Sequence, residues 1–157
     1  MIRAVLDTNV LASGILGLDH SSAPPAEILR RWEMGAFGLV SSDHILKELV
    51  RTLGNAYFSS RIPAADVAGM VETIQRSGEV VELSNTVSGV ATHPEDDLIL
   101  ASAVSAQVDY LVTGDGRLLE LKRIEDVEIV SPRGFVDILD ESTTARSPNR
   151  SPHTPGA

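Results

Sequence analysis

Two stretches far apart in the chain, Leu6-Asp7-Thr8-Asn9 and Thr113-Gly114-Asp115, each set an aspartate at the end of an apolar run, Ala4-Val5-Leu6 and Tyr110-Leu111-Val112. This shared pattern predicts two buried parallel strands that end in carboxylates on one edge of a sheet, the edge where ligands collect in open α/β sheets. Between them Glu48 and the pair Asp96-Asp97 fall on helical patterns, so a four-cornered acidic pocket is expected. Two strand-end aspartates side by side repel each other unless a cation or a shared proton compensates. Oxygen ligands from several carboxylates suit magnesium or manganese, ions that keep bound waters and serve phosphoryl chemistry.

Each acid also has a plainer reading. Asp7 precedes Val10-Leu11-Ala12 and can cap a helix there, while Asp115 sits in a string of turn formers, Thr-Gly-Asp-Gly. Glu48 can pair with Arg51 on a solvated helix flank, and Asp96 and Asp97 complement a helix dipole in its first turn. His20, His44, His93 and His153 lack the mutual spacing of a zinc site and read as surface or loop residues. The chain has no cysteine, no lysine-bearing glycine-rich loop, no G-x-S-x-G elbow and no dinucleotide fingerprint. Metal-activated water is the attacking group that remains.

The elements that must position these acids alternate between strand-like and helical patterns, the signature of a parallel sheet with helices on its faces. Strands are predicted at Ile2 to Leu6, Phe37 to Val40, Glu79 to Leu83, Asp109 to Thr113 and Val127 to Val130. Pro24-Pro25 opens a helix with Ile28, Leu29 and Trp32 inward, closed by Gly35. Ser41 or Ser42 caps the next, whose apolar line is Ile45, Leu49 and Leu53. Pro63 starts a third with Val67, Met70, Val71 and Ile74 inward and Gly78 as its stop, and Pro94 a fourth, running to about Gln107. Residues 1–140 are expected to form one domain. Residues 141–157, polar and punctuated by proline, are expected to be a disordered tail.

A chain of 157 residues, 43% hydrophobic, buries one core and needs no second domain. Its net charge of -9 argues against tight stand-alone binding of nucleic acid, which favours a basic face. The N-terminus enters a strand at once, without the layout of a signal peptide, and no apolar run reaches membrane-spanning length. A soluble cytoplasmic protein is the expectation.

Taken in order, Val5-Leu6-Asp7-Thr8-Asn9-Val10-Leu11, Asp96-Asp97-Leu98-Ile99-Leu100-Ala101-Ser102-Ala103 and Asp109-Tyr110-Leu111-Val112-Thr113-Gly114-Asp115 resemble the PIN-domain family of metal-dependent ribonucleases. Many members are the toxin half of toxin-antitoxin pairs. The resemblance runs from Met1 to about Leu139, and Ile129-Val130-Ser131-Pro132-Arg133-Gly134-Phe135 resembles the toxin branch. It implies an α/β fold, a single PIN-like domain whose central parallel sheet is flanked by helices on both faces. It implies that Asp7, Glu48, Asp96 and Asp115 are catalytic and bind Mg2+ or Mn2+, supported by Thr8, Asn9, Asp97 and Thr113. A one-residue helical shift exchanges Asp96 and Asp97, and both stay open as the principal ligand. Gly116 and His93 stand where relatives carry further acids.

The implied activity is endoribonuclease cleavage, preferring single strands, with metal-activated water hydrolysing the RNA phosphodiester. Arg51, Arg61 and Arg117 are candidate phosphate contacts, and Tyr57 and Phe58 candidate stacking or packing residues. A cognate antitoxin protein and a homodimer are the partners implied besides RNA. Three other readings compete. A magnesium-dependent phosphatase with Asp7 as nucleophile normally has a second aspartate where Asn9 stands. A phospho-accepting receiver domain needs a late strand-end lysine, which neither Lys47 nor Lys122 supplies. A catalytically silent, partner-binding PIN-like domain has no need of all four acids.

Overall fold

A computed structural model describes residues 1–83 and 94–146. His93 and residues 147–157 of the expected tail lie outside the described residues. The chain runs β1 (Arg3–Leu6), α1 (Thr8–Gly17), α2 (Pro24–Glu33), β2 (Gly38–Ser42), α3 (Asp43–Leu53), α4 (Ala56–Ser59), α5 (Ala64–Ser77) and β3 (Glu79–Val81). It continues with α6 (Pro94–Ala106), β4 (Tyr110–Val112), α7 (Gly116–Leu121), β5 (Arg123–Ile124), β6 (Val127–Val130) and α8 (Pro132–Arg146).

Among the described residues the strands form one sheet in the order β3-β2-β1-β4-β6-β5, parallel throughout except for β5 against β6. Ala4, Val5, Leu6, Leu111 and Val112 are fully buried, as central parallel strands covered on both faces must be. Crossovers from β1 to β2 to β3 step one way along the sheet and the crossover from β3 to β4 steps back. Right-handed connections therefore put α6 on the face opposite α1 to α5. The fold is α/β, with five of the expected strands in place.

Local chemistry accounts for the helix ends. Ser42 caps α3 by accepting from the Ile45 N–H at 3.3 Å, and Gly35, at φ +80°, lets the chain turn out of α2. In α5 only Ile74 is fully buried, with Val67, Met70 and Val71 packed at the core margin. Gly14 brings α1 against α2: a Cβ there would lie 2.7 Å from the Pro25 carbonyl oxygen.

Four elements differ from expectation, the first being α7, which Asp115 opens as its cap where only a string of turn formers was expected. The two-residue β5 has no pattern of its own and is held by pairing with β6. The short α4 is capped by Asn55, whose Oδ1 accepts from the Phe58 N–H at 3.2 Å. The last helix passes the expected domain boundary at residue 140 and continues to Arg146. It is fastened by buried Phe135, Val136 and Leu139 and by the Asp140 carboxylate, 2.7 Å from Arg31 on α2. Phe135 packs edge-on against Phe37 with ring centroids 5.0 Å apart.

Candidate active site

The chain leaves β1 toward β2 and leaves β4 toward β6, in opposite directions, so the neighbouring pair β1/β4 is the switch point of the sheet. A crevice opens beyond the carboxyl ends of strands at such a point. Asp7 and Thr113 carry the ladder one residue further, with Asp7 N–H donating to the Val112 carbonyl at 2.9 Å and Thr113 N–H to that of Val130 at 3.0 Å. Asp7 then caps α1 and Asp115 caps α7, so two helix N-termini flank the crevice.

A pocket of about 130 Å³ occupies this place, and Asp7, Glu48, Asp96 and Asp115 all line it. Thr8 and Asn9 from the first turn of α1 form part of the wall, and Ile99 joins Asp96 from α6. From α3 come His44, Glu48 and Thr52. Their spacing of four residues sets all three on one helix face. Four carboxylates thus arrive from four separate elements.

The hydrogen bonds fix two of them tightly. Asp7 Oδ1 accepts from the Thr8 N–H at 2.7 Å, and Asp7 Oδ2 accepts from the Thr113 hydroxyl at 2.7 Å. The same Thr113 Oγ1 accepts from the Asp115 N–H at 3.0 Å, so one fully buried threonine holds both aspartates. Asp115 Oδ1 accepts from the Arg117 N–H at 2.9 Å. Burial pushes the Asp7 carboxyl above its ordinary range against the opposing Thr113 and Thr8 bonds, and the charges of Asp96 and Asp115 push it further. Asp115 is held below its ordinary range, chiefly by the Arg117 N–H. The two strand-end carboxylates therefore have unequal proton affinity.

Asp97 is buried but does not line the pocket; Asp96 does. Arg51 lies at the solvent side, its guanidinium 2.8 Å from Glu48 Oε2, and Arg117 Nη2 is 3.5 Å from Asp115 Oδ2. Arg61 is elsewhere: it stacks 4.0 Å over the Tyr57 ring and borders a groove between α1 and α5. Phe58 packs at the core margin while Tyr57 is exposed. His44 and Thr52 join the wall although the sequence reading gave them no place there. The signal was present in their steps of four from Glu48, masked because an isolated histidine on a helix is usually a surface residue.

An all-carboxylate oxygen set fits a hard divalent cation in kind. Thr8 Oγ1, buried on the pocket wall with no hydrogen-bond partner among the described residues, adds one more oxygen to that set. In this arrangement no three acidic or histidine side chains among the described residues stand as close together as a held ion requires.

Residues 3–117 match the family model of the PIN domain, and the chain belongs to that family. Among curated proteins it is similar to translation initiation factor IF-2 of Deinococcus deserti, 25% identical over 119 residues. That match takes in 72% of this chain but only 20% of the relative, so the chain spans about a fifth of that protein's length. Among solved structures it is similar to VapBC2 from Rickettsia felis bound to a DNA fragment from its promoter. The TM-score is 0.56 at 18% identity, covering 83% of this chain and 98% of the other, a likeness of fold.

Proposed function

We propose that the protein is a metal-dependent endoribonuclease that hydrolyses RNA phosphodiesters, preferring single strands, and that it is the toxin half of a toxin-antitoxin pair. The observation that carries this reading is the convergence of Asp7, Glu48, Asp96 and Asp115, from four different elements, on one pocket at the switch point of the sheet. These four acids would hold Mg2+ or Mn2+. Bound there, such an ion supplies Lewis acidity toward water and offsets the charge of the phosphate.

The chain's own residues then have separable tasks. Thr113 sets the orientation of Asp7 through its hydroxyl and of Asp115 through the backbone N–H. In the metal-free chain burial and the charges of Asp96 and Asp115 make an ionised Asp7 costly, and a divalent cation held there would offset that cost. Thr8 and Asn9 present polar groups at the pocket wall. Arg51 and Arg117, at the rim beside Glu48 and Asp115, can leave their carboxylate partners for substrate phosphate. Asp97 is buried on α6 outside the pocket lining, and Arg61 stacks on Tyr57 away from it.

Membership in the PIN domain family and the fold shared with VapBC2 support an antitoxin as the partner. Among the described residues no helix is long and apolar enough to cross a membrane. The test is cleavage of structured and unstructured RNA with Mg2+ or Mn2+ by the parent chain, Asp7→Asn and Asp115→Asn. Loss of cleavage in both variants is expected. Equal cleavage by all three proteins rejects the assignment, and turnover of a small phosphomonoester in place of RNA selects the phosphatase.

A further inference from the structure

We propose that Ser102 and Ser42 are positioning residues that set the separation of the helices bearing Asp96 and Glu48, and so set how tightly the acidic pocket takes a divalent cation; this rests on the metal-dependent reading above. The two hydroxyl oxygens lie 2.9 Å apart, and both residues are almost completely buried, at 0% and 1% exposure. Ser42 is the cap of α3, the helix of His44, Glu48 and Thr52. Ser102 is on α6, the helix of Asp96 and Ile99. The pair joins positions 60 residues apart in sequence.

Either hydroxyl can donate across this contact. Ser102 Oγ also lies 2.9 Å from the Leu98 carbonyl, which can only accept. With the Ser102 proton on that carbonyl, the Ser42 hydroxyl donates to Ser102. Ser42 Oγ, in turn, accepts from the Ile45 N–H at 3.3 Å. The result is a chain of hydrogen bonds that links the Ile45 N–H, Ser42, Ser102 and the carbonyl of Leu98, two residues beyond Asp96.

Packing alone does not ask for a serine at this point. Around it α6 is built of Ala101, Ala103 and Ala106, all buried, and alanine is the better helix former. A hydroxyl in a fully buried helix position is tolerated when its bonds are made, and here they run to the cap of the helix that carries the opposite acid. Loss of the Ser102 hydroxyl would take from buried Ser42 its side-chain partner on α6 and let α3 and α6 settle at a different spacing. Glu48 and Asp96 would follow their helices.

The experiment titrates Mn2+ into the metal-free full chain, following free aqueous Mn2+ by electron paramagnetic resonance and bound Mn2+ by solvent proton relaxation. Parent, Ser102→Ala, Ser102→Thr and Ser102→Cys are compared, with thermal unfolding of each metal-free form. Ser102→Ala is expected to weaken Mn2+ binding about 10- to 100-fold, the usual loss when a group that orients ligands is removed. Ser102→Thr, which keeps the hydroxyl, is expected to restore most of it, and Ser102→Cys to fall between; the Cys variant also carries the comparison if the alanine form fails to fold. Parent-like Mn2+ affinity in Ser102→Ala overturns the inference and leaves the ribonuclease reading standing. So does failure of Ser102→Thr to restore binding in a protein that melts like the parent. A parent chain that takes up no Mn2+ overturns the metal-dependent reading itself, and this inference with it.

Discussion

Asp7 concentrates the conflict between stability and chemistry in one side chain. Burial and two neighbouring carboxylates raise its proton affinity, and only the bonds from Thr113 and Thr8 oppose them. A folded-state pKa above the unfolded one gives a contribution to stability that is full below the ordinary aspartate value and lost as pH rises through the folded value. At neutral pH the ionised carboxylate therefore costs stability. Asp7→Asn in metal-free buffer is expected to melt higher than the parent, by roughly 2–4 °C for each kcal/mol regained, with the gap closing in acid. Thermal unfolding across pH checks this; a parent that outlasts the variant at neutral pH contradicts it. Thr113→Val is expected to act oppositely. It removes the donor to Asp7 and the acceptor for the Asp115 N–H, a loss of about 1.5–3 kcal/mol in denaturant unfolding, as for hydrogen bonds to charged groups.

At the scale of elements, the contact of α1 with α2 and the seat of α8 decide whether the pocket has a frame. Alanine at Gly14 would gain helix propensity, but its Cβ would meet the Pro25 carbonyl oxygen, which cannot rotate away. Gly14→Ala is therefore expected to lower stability by about 1–3 kcal/mol, the cost of overpacking, measured by denaturant unfolding. The family match ends at residue 117, yet α8 delivers Phe135, Val136 and Leu139 to the core. Each such side chain contributes about 1.5–3 kcal/mol, and together they approach the whole margin of an ordinary domain. A chain ending at residue 131 is expected to be insoluble or unfolded by circular dichroism, and one ending at 146 to melt like the parent. The helix is hard to read from sequence because Ser142, Thr143 and Thr144 favour other conformations. It persists because Phe135, Val136 and Leu139 are buried and Arg31 grips Asp140, while the Thr143 and Thr144 hydroxyls find acceptors in the carbonyls of Leu139 and Asp140. Five strands were legible since continuous apolar runs ending in turn residues have few other uses. β5, a two-residue strand, carries no period at all.

For the molecule as a whole, the excess of acid sets the terms on which a polyanion approaches. The chain carries 22 acidic against 13 basic residues, and two of the arginines near the pocket are already engaged by Glu48 and Asp115. Ordinary nucleic-acid binders lose affinity steeply as salt rises because they release counterions. Here monovalent salt screens repulsion instead. RNA binding by Asp115→Asn, measured by fluorescence anisotropy without divalent ions, is expected to be weak and to stay flat or improve as salt rises; a steep loss of affinity would reveal a basic face not evident in the charge balance. The four acids themselves were legible one by one. A common pocket for them was expected too, but the route to it was not, since Glu48 and Asp96 reach the crevice through the packing of α3 and α6 on a sheet whose strand order no local pattern encodes.

Asp7 and Asp115 do double duty, each holding down the first amide groups of a helix. Asparagine does that task about as well as aspartate at such a position. On the function proposed above, an inert twin of this chain is only two atoms away from the active one, each a carboxylate oxygen exchanged for an amide nitrogen, with both helices still properly begun. Such a twin would then be harmless to a cell that makes it in quantity, and it would offer any binding partner an undisturbed outline to recognise.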